Sequence, residues 1–335
     1  MIITKTPFRM SFFGGGTDMP EYFNEEGGAV ISTTFDKYVY VTVRHLPRFF
    51  EYSNEVIYSK TERVEHVDDI VHPMVRNSMK LLDMHELHIA YDADLPARSG
   101  LGTSSTFAVG LLNAFYALKG KDASKELLAK DAIHVEREMC NEAGGWQDQI
   151  AASYGGLNKI VFENNSFTIT PIKISKERKE HLNNNLLLFF TGFTRFSAEI
   201  QKSTKQTLSE KKIQLRKMRE LVEKAQVILE DDSKDIDDFG RLLHETWQLK
   251  RQTGNNITTG SIDELYNKGI EAGALGGKLL GAGGGGFLLF YVKDEDKENI
   301  RKALSSLMEV PFKFEDKGAQ IIYNEPEVYI KKGNL

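Results

Sequence analysis

The alternation of apolar and polar residues divides the chain into strand-like and helix-like stretches. Lys37–Leu46 and Glu86–Pro96 alternate β-branched or aromatic residues with polar ones, which is typical of strands with one buried face. The period then changes, because Phe107, Leu111 and Phe115 recur at helical spacing within "TFAVGLLNAFYAL". The first third of the chain therefore predicts strands followed by a helix.

Both periods continue through the rest of the chain. Helices are predicted over Ser124–Cys140, Ser197–Asp231, Asp238–Gln252, Ser261–Gly273 and Lys297–Leu307. Short strands are predicted at Leu157–Phe162, Ser166–Ile174, Asn183–Gly192, Phe287–Val292, Pro311–Phe314 and Ala319–Asn324. The segment Ser197–Asp231 is highly charged, so we interpret it as a solvated surface. The mixture predicts an α+β protein with two domains, residues 1–175 and 176–335.

Composition restricts the binding partners and the cellular compartment that we expect for this protein. A net charge of −5 gives no general attraction to nucleic acid or to an anionic membrane. No stretch approaches the ~18 apolar residues of a membrane helix, and "MIITKTPFRM" lacks the features of a signal peptide. The single cysteine, Cys140, has no partner for an internal disulfide. We therefore expect a cytoplasmic protein that binds neither nucleic acid nor membrane, as a monomer or homodimer.

A glycine run near the C-terminus matches the pattern G-x-G-x-x-G at Gly281–Gly286. In a dinucleotide-binding fold this turn follows a strand and opens a helix, whose N-terminus receives the pyrophosphate. Here the pattern predicts a helix before the run and the strand "FLLFYV" after it. The chain also contains no G-x-x-x-x-G-K-[ST] phosphate loop. The run therefore predicts neither kind of nucleotide site.

A better candidate for a phosphate loop is "LPARSGLGTSST", which stands directly before the predicted helix. Glycines allow the backbone to approach a polyanion, and the free N–H groups of a first helical turn bind it. The alternative is an ordinary Ser/Thr cap behind a glycine turn, and these residues alone do not decide between the two. The loop contains Gly100, Leu101, Gly102, Thr103, Ser104 and Ser105.

Two other stretches carry residues suited to phosphoryl transfer. Asp148 lies in "GGWQDQ", and Glu136 lies twelve residues earlier in a predicted helix. One carboxylate suits a hard cation, and a second could act on an acceptor hydroxyl. Near the N-terminus, "PFRMSFFGGGTDMPEY" offers Arg9 to offset phosphate charge and Asp18 to bind polyol hydroxyls. A surface arginine and an Asx turn are the alternatives there.

Three separated blocks, taken in order, resemble those of the GHMP kinases, named for galacto-, homoserine, mevalonate and phosphomevalonate kinases. The blocks are "PFRMSFFGGGTDMPEY", "LPARSGLGTSST" and "KLLGAGGGGFLLF", with "GGWQDQIAASYGG" between the last two. The resemblance implies the GHMP kinase fold: a ribosomal-S5-like N-terminal domain and a ferredoxin-like C-terminal domain. It also implies that the late glycine block closes against the phosphate loop, and that the substrates are ATP with Mg²⁺ and a small molecule.

The resemblance implies roles for individual residues. Asp148 corresponds to the acid that accepts or orients the acceptor hydroxyl proton, and Arg9 to the basic residue of the first block. The implied ATP contacts are Gly100, Leu101, Gly102, Thr103, Ser104 and Ser105, the metal ligands Ser104 and Glu136, and the substrate contacts Gly16, Thr17, Asp18, Gly281, Ala282 and Gly283. Thr103 replaces the usual first serine of the loop, which keeps the hydroxyl.

Within the family, the blocks are most similar to those of the D-glycero-D-manno-heptose 7-phosphate kinases, with L-fucokinase-type domains as the nearest rival. A sugar phosphate would need a basic group remote from Asp148, and we predict Arg195, with Lys278 and Arg44 as alternatives. A hypothesis of another class is a sugar-sensing regulator that keeps the fold without turnover. The paired acids Asp148 and Glu136 disfavour it, because a mere binder does not need them.

Overall fold

The computed structural model describes residues 1–47, 49–97, 99–192, 212–254, 257–281 and 283–325, in which helices pack against two β-sheets. The strands are β1 (Ile2–Phe13), β2 (Gly28–His45), β3 (Asn54–Ile57), β4 (Thr61–Val64), β5 (Leu87–Ala93), β6 (Asn158–Glu163), β7 (Ser166–Pro171), β8 (Leu186–Phe190), β9 (Gly276–Leu279), β10 (Phe287–Tyr291), β11 (Met308–Glu309), β12 (Phe314–Glu315) and β13 (Gln320–Asn324). The helices are α1 (Pro20–Glu26), α2 (Pro73–Leu81), α3 (Thr103–Leu118), α4 (Lys125–His134), α5 (Gln147–Tyr154), α6 (Lys176–Asn184), α7 (Lys212–Glu230), α8 (Asp237–Arg251), α9 (Gly260–Glu271) and α10 (Lys297–Ala303).

The first sheet is built around the long strand β2. Its main path runs β13-β1-β2-β5-β3-β4, and β6 and β12 pair with other parts of β2, while β7 pairs with β6. Strands β3 and β5 are parallel, and the other pairings of this sheet are antiparallel. Strand β2 is rich in β-branched and aromatic residues, which pack well on a pleated surface.

The second sheet has the strand order β11-β8-β10-β9 and is antiparallel throughout. Numbered along the chain, this is the order fourth, first, third, second, with helices between the first and second strands and between the third and fourth. Such a β-α-β-β-α-β unit is ferredoxin-like. The apolar runs of β8 and β10 reflect burial of nearly every residue. The predicted α+β class and two-part architecture are confirmed.

Helix α3 is the central helix of the first half. Every residue from Ser105 to Phe115 is buried, so the helix is enclosed on all sides rather than amphipathic. It crosses close to the sheet, where the hydroxyl of Thr4 on β1 donates to the carbonyl oxygen of Gly110 at 2.9 Å. This packing fixes where the helix begins, and so where its N-terminal N–H groups point.

Four sequence predictions need correction. The glycine run follows strand β9 rather than a helix and connects β9 to the antiparallel β10. Helix α7 is solvated on one face only, because Leu215, Met218 and Leu221 on its other face are buried. The helix predicted over Ser124–Cys140 changes after His134 into a π-helical turn, Val135–Met139. Elements that the pattern missed are β1, β3, β4, β9, β11, α1, α2, α5 and α6.

The C-terminal strands return to the first sheet. Strand β13 pairs with β1, and β12 pairs with β2 beside Phe35. The division of the chain at residue 175 stays a prediction, but the two sheets are not built from two continuous halves. In the described ranges, no helix combines the length and apolar character needed to cross a membrane.

Candidate active site

A cavity of about 470 Å³ lies where the two sheets meet. Its walls come from the end of β1 and the glycine turn after it, the loop before α3, the segment that joins α4 to α5, the C-terminal end of α8, and the loop after β9. It brings together these predicted residues: Arg9, Gly16, Asp18, Gly100, Gly102, Thr103, Ser104, Ser105, Glu136, Asp148 and Gly281. A smaller cavity of about 140 Å³, lined by residues of α6, β8 and the segment after β11, contains none of them.

Asp148 lies in the first turn of α5 and forms a bidentate ion pair with Arg9 of β1. The Arg9 Nε and Nη2 atoms each donate to one carboxylate oxygen at 2.7 Å. The Arg9 Nη1 atom donates to the carbonyl oxygen of Gly100 at 2.9 Å. A single buried guanidinium therefore connects the acid to the phosphate loop. The acid also lies close to Gly102, where an added Cβ would be 3.0 Å from Asp148 Oδ2.

The loop before α3 has the features of an anion site. Gly102 caps the helix in the left-handed conformation, with φ of 77°, and no side chain caps the first N–H groups. The Thr103 hydroxyl is buried and has no hydrogen-bond partner within the described ranges. Free N–H groups, an unpaired hydroxyl and the positive end of the helix dipole all favour phosphate. This geometry favours the phosphate-loop interpretation over an ordinary cap.

Glu136 stands on the π-helical turn and is buried beside the serines of the loop. Its carboxylate accepts a hydrogen bond from the Ser105 hydroxyl at 2.7 Å and another from the Gln149 amide. Burial raises the pKa of Glu136 to about 7, and the hydrogen bonds from Ser105, Gln149 and Ser104 oppose that shift. A bound cation would favour the charged carboxylate again.

The oxygen donors Ser104, Ser105 and Glu136 fit a hard cation such as Mg²⁺. Within the described part of the chain, no three histidine, cysteine, aspartate or glutamate side chains form a group that could hold a metal ion. Magnesium typically binds through one or two carboxylates plus substrate phosphates. The donor set therefore suits a metal that arrives with a nucleotide.

Asp18 also lines the cavity. Its carboxylate accepts hydrogen bonds from the backbone N–H groups of Gly16 at 2.9 Å and Gln147 at 3.3 Å. Burial, followed by the nearby charge of Asp148, raises the pKa of Asp18, while those N–H groups lower it. The carboxylate is thus fixed in place and able to accept hydrogen bonds from a bound polyol.

Some of the predicted residues do not reach the cavity. The Thr17 hydroxyl is buried and donates to the carbonyl oxygens of Gly14 and Ala29, so it stabilises the glycine turn. Leu101 is part of the apolar core, and Gly283 packs against the backbone of Ile257. The predicted contacts Arg195 and Ala282 lie outside the described residues.

Lys278, an alternative for holding a substrate phosphate, is almost completely buried. Its ammonium donates to the carbonyl oxygens of Ser11 and Phe12 at 2.9 and 2.8 Å. Burial, together with the charges of Lys250 and Arg9, holds the pKa of Lys278 well below its usual value. We interpret Lys278 as a connection between β9 and the end of β1. Arg44, the other alternative, does not line the cavity.

Lys250 is one of the cavity residues that sequence reasoning missed. It lies in the last turn of α8, it is 8% exposed, and its ammonium donates to the carbonyl oxygen of Gly281. A signal was present in the sequence, because Leu243, Trp247 and Lys250 follow the i, i+4, i+7 spacing of one helix face. A lysine on an otherwise apolar face is either paired inside the protein or functional.

The comparisons with known proteins agree with this geometry. The model of the GHMP kinases N terminal domain matches residues 67–156, and that of the GHMP kinases C terminal domain matches residues 218–310. A D-glycero-alpha-D-manno-heptose 7-phosphate kinase from Campylobacter jejuni is 31% identical over 319 residues, which cover 90% of this chain and 93% of that protein. The chain belongs to the GHMP kinase family. Its relatives are kinases, so it is an ATP-dependent phosphotransferase.

Two further proteins are similar to this chain at lower identity. A bifunctional fucokinase/GDP-fucose pyrophosphorylase from Arabidopsis thaliana is 26% identical over 342 residues, which cover 92% of this chain but 31% of that longer protein. The crystal structure of a D-glycero-D-manno-heptose 1-phosphate kinase from Bacteroides thetaiotaomicron superposes with a TM-score of 0.77 at 24% identity, covering 98% of this chain and 100% of that one. The second similarity shows the shared fold.

Proposed function

We propose that this GHMP kinase transfers the γ-phosphoryl group of ATP to the anomeric hydroxyl of D-glycero-D-manno-heptose 7-phosphate and forms the 1,7-bisphosphate. The observation that carries the proposal is that Asp148, the phosphate loop and Asp18 line one cavity, with Asp148 next to Gly102 of the loop. The acid is thus next to the donor site and shares the cavity with a carboxylate suited to a polyol. The name and 31% identity of the Campylobacter jejuni relative support heptose 7-phosphate as the acceptor.

In the proposed reaction, the acceptor oxygen forms a bond to the γ-phosphorus while the bond from that phosphorus to the β,γ-bridging oxygen breaks. Asp148 accepts the proton of the hydroxyl, and ADP leaves. Arg9 holds Asp148 in position through two hydrogen bonds, and the N–H groups that open α3 offset the phosphate charge. Glu136 and Ser104 would hold Mg²⁺, which would supply positive charge to offset that of the phosphates.

The polyol side of the cavity supports a sugar as the acceptor. Asp18 has two backbone N–H partners that fix its carboxylate, and Gly15, Gly16, Gly144 and Gly145 also line the cavity. Backbone without side chains allows a ring with several hydroxyls to approach closely. A fucokinase-like activity is the rival, because an unphosphorylated sugar would make the same contacts.

The test measures ADP release with magnesium-ATP and a panel of acceptors: heptose 7-phosphate, the unphosphorylated heptose, fucose, galactose and mevalonate. We expect the highest kcat/KM with heptose 7-phosphate, and a phosphorus NMR signal coupled to the anomeric proton of the product. A preference for fucose would replace the heptose proposal with the fucokinase-like one. Thermal stabilisation by sugars without any ADP release would favour the sensor.

A further inference from the structure

The Lys250 ammonium is a buried cation with unused hydrogen-bond capacity. A lysine ammonium carries three N–H donors. Within the described residues, its hydrogen-bond acceptor is the carbonyl oxygen of Gly281, and no carboxylate lies within ion-pair distance of it. Because Lys250 lines the cavity, the remaining donors are available to a ligand there. A buried cation without a direct counter-ion destabilises a folded protein unless something else compensates for it.

The charged groups around Lys250 define its surroundings. They are Arg9 from β1, Lys278 from β9, Asp18 from the glycine turn and Asp148 from α5. Burial is the main reason that the pKa of Lys250 falls to about 8, Arg9 lowers it further, and the two carboxylates oppose the shift. The cavity beside Lys250 therefore contains both basic groups and the acid Asp148.

The backbone contacts place Lys250 beside the phosphate loop. Gly281, whose carbonyl oxygen it holds, packs so closely on the loop that an added Cβ would lie 2.3 Å from the Gly100 Cα. The carbonyl oxygen of Gly100 in turn accepts a hydrogen bond from Arg9, the partner of Asp148. The ammonium therefore lies at the junction of the phosphate loop, the late glycine loop and the acid.

The other cationic side chains that line the described part of the cavity each donate two or more hydrogen bonds to protein groups. Arg9 donates to both oxygens of Asp148 and to Gly100, and Lys278 donates to two backbone carbonyl oxygens. Arg137 donates to the carbonyl oxygen of Gly144 and to Glu21. Lys250, by contrast, donates to a single backbone carbonyl oxygen and has no carboxylate partner among the described residues.

We propose that Lys250 is a catalytic residue that donates hydrogen bonds to the equatorial oxygens of the γ-phosphoryl group as it passes from ATP to the acceptor. The proposal rests on the phosphotransferase activity of the family and not on the identity of the sugar. Lys250 remains protonated throughout, while the acceptor proton goes to Asp148 and ADP departs with the bridging oxygen. Such a contact stabilises charge that is spread over the transferring oxygens.

A phosphate carried by the substrate is a different ligand. In a heptose 7-phosphate it lies several bonds from the reacting hydroxyl, whereas Lys250 lies close enough to Asp148 for that carboxylate to raise its pKa. The position of Lys250 therefore favours the transferred group over the remote one.

The test compares the binding of ADP and of the non-hydrolysable analogue AMP-PNP, both with magnesium, by calorimetry, and needs no sugar. In Lys250→Met we expect AMP-PNP affinity to fall ~10-fold or more while ADP affinity changes less than ~2-fold, since only AMP-PNP carries the γ-group. We expect kcat to fall ~10²-fold, with partial recovery in Lys250→Arg. Lys224→Met, an exposed lysine on α7, is the matched control and should behave like the parent.

Two results would overturn the proposal. An equal loss of ADP and AMP-PNP affinity would mean that Lys250 only holds the glycine loop against the phosphate loop. A rise in KM for the phosphorylated sugar with kcat and AMP-PNP binding preserved would assign Lys250 to the substrate's own phosphate. The acceptor could prove to be a sugar other than heptose 7-phosphate. The role of Lys250 would still hold if Lys250→Met lowers the affinity for AMP-PNP and not that for ADP.

Discussion

Asp148 is held in position by one residue, Arg9. Both carboxylate oxygens of Asp148 accept hydrogen bonds from the same guanidinium, at 2.7 Å each. A planar guanidinium fixes the plane of the carboxylate as well as its distance, which a lysine would not do. We infer that Arg9 is a positioning residue, and that an acceptor hydroxyl must approach Asp148 while at least part of this pair persists.

Replacement of the acid tests its role. Asp148→Asn keeps the shape of the side chain but removes the proton acceptor and places an amide against Arg9, so we expect kcat to fall by ~10²-fold or more. ADP binding should persist, because the phosphate loop is unchanged. Single-turnover kinetics and calorimetry would measure the two effects, with exposed Asp122→Asn as the control. Near-normal turnover would remove Asp148 from the mechanism.

The metal assignment is tested at Glu136. Glu136→Gln and Ser104→Ala each remove an oxygen contact from a hard cation, so we expect the magnesium concentration for half-maximal activity to rise in both. Glu138→Gln is a matched control, because its side chain is 70% exposed on the same π-helical turn. Magnesium titrations that overlay the parent curve would show that these residues do not hold the metal.

The lowered pKa of Lys250 predicts that the stability of the folded protein depends on pH. Its pKa in the folded protein is about 8, below the ordinary value of 10.5, so the unfolded chain binds more protons between these values. Below pH 8 the buried charge lowers the free energy of unfolding by its full amount. This destabilisation disappears as the pH rises toward 10.5. We expect Lys250→Met to unfold at a higher temperature than the parent at pH 7, with a difference that shrinks from pH 8 to 10. Equal unfolding temperatures at all pH values would contradict this.

At the scale of elements, the active site depends on two glycine loops from different sheets. The loop before α3 and the loop after β9 meet at Gly100 and Gly281, with their backbones in contact. Gly281 has φ of 80°, which disfavours other residues, and the close contact leaves no room for a side chain. The late glycines therefore permit close packing of two backbones, and they do not bind a dinucleotide.

Two glycine substitutions distinguish the effect of backbone strain from the effect of a steric clash between the two loops. Gly281→Ala should lower kcat/KM by ~10-fold or more, because the Cβ would push the glycine loop away from the phosphate loop and misplace the groups around the transferred phosphoryl. Gly120→Ala is the matched control, since Gly120 has φ of 69° but no atom within 4 Å of the added Cβ. The control should lose ~1–2 kcal/mol of stability with activity intact. Equal activity losses in both variants would contradict this interpretation.

At the scale of the whole molecule, the two sheets share one core. Phe12 and Phe13 of β1 pack edge to face against Phe239 of α8, with ring centroids 5.2 and 5.1 Å apart. Strands β12 and β13 also return to the first sheet after the second is complete. Separation of the two halves would expose this apolar contact and break the strand pairing.

We therefore expect the two halves to unfold together. The chain has two tryptophans, Trp146 beside the first sheet and the fully buried Trp247 near the second. In Trp146→Phe and Trp247→Phe variants, each remaining tryptophan reports one half, and urea curves followed by fluorescence should coincide with those followed by circular dichroism. Separate midpoints would show that the halves unfold independently.

The sequence by itself determined the family and the fold class, and most of the site residues that it predicted lie in the cavity. Local signals were sufficient for this, because glycine runs, helix periodicity and short blocks such as "LPARSGLGTSST" depend on neighbours in the chain. Short strands such as β3, β4 and β9 were missed because four residues carry too little periodicity to be recognised.

Only the tertiary structure decided which polar groups are free to act. Thr17 and Lys278 looked like ligand contacts, but folding satisfies both with backbone carbonyl oxygens. Lys250 looked like an ordinary helix residue, but folding buries it beside Gly281 and leaves it with unused donors. Burial and hydrogen-bond pairing are set by residues far apart in the chain, so no local pattern records them.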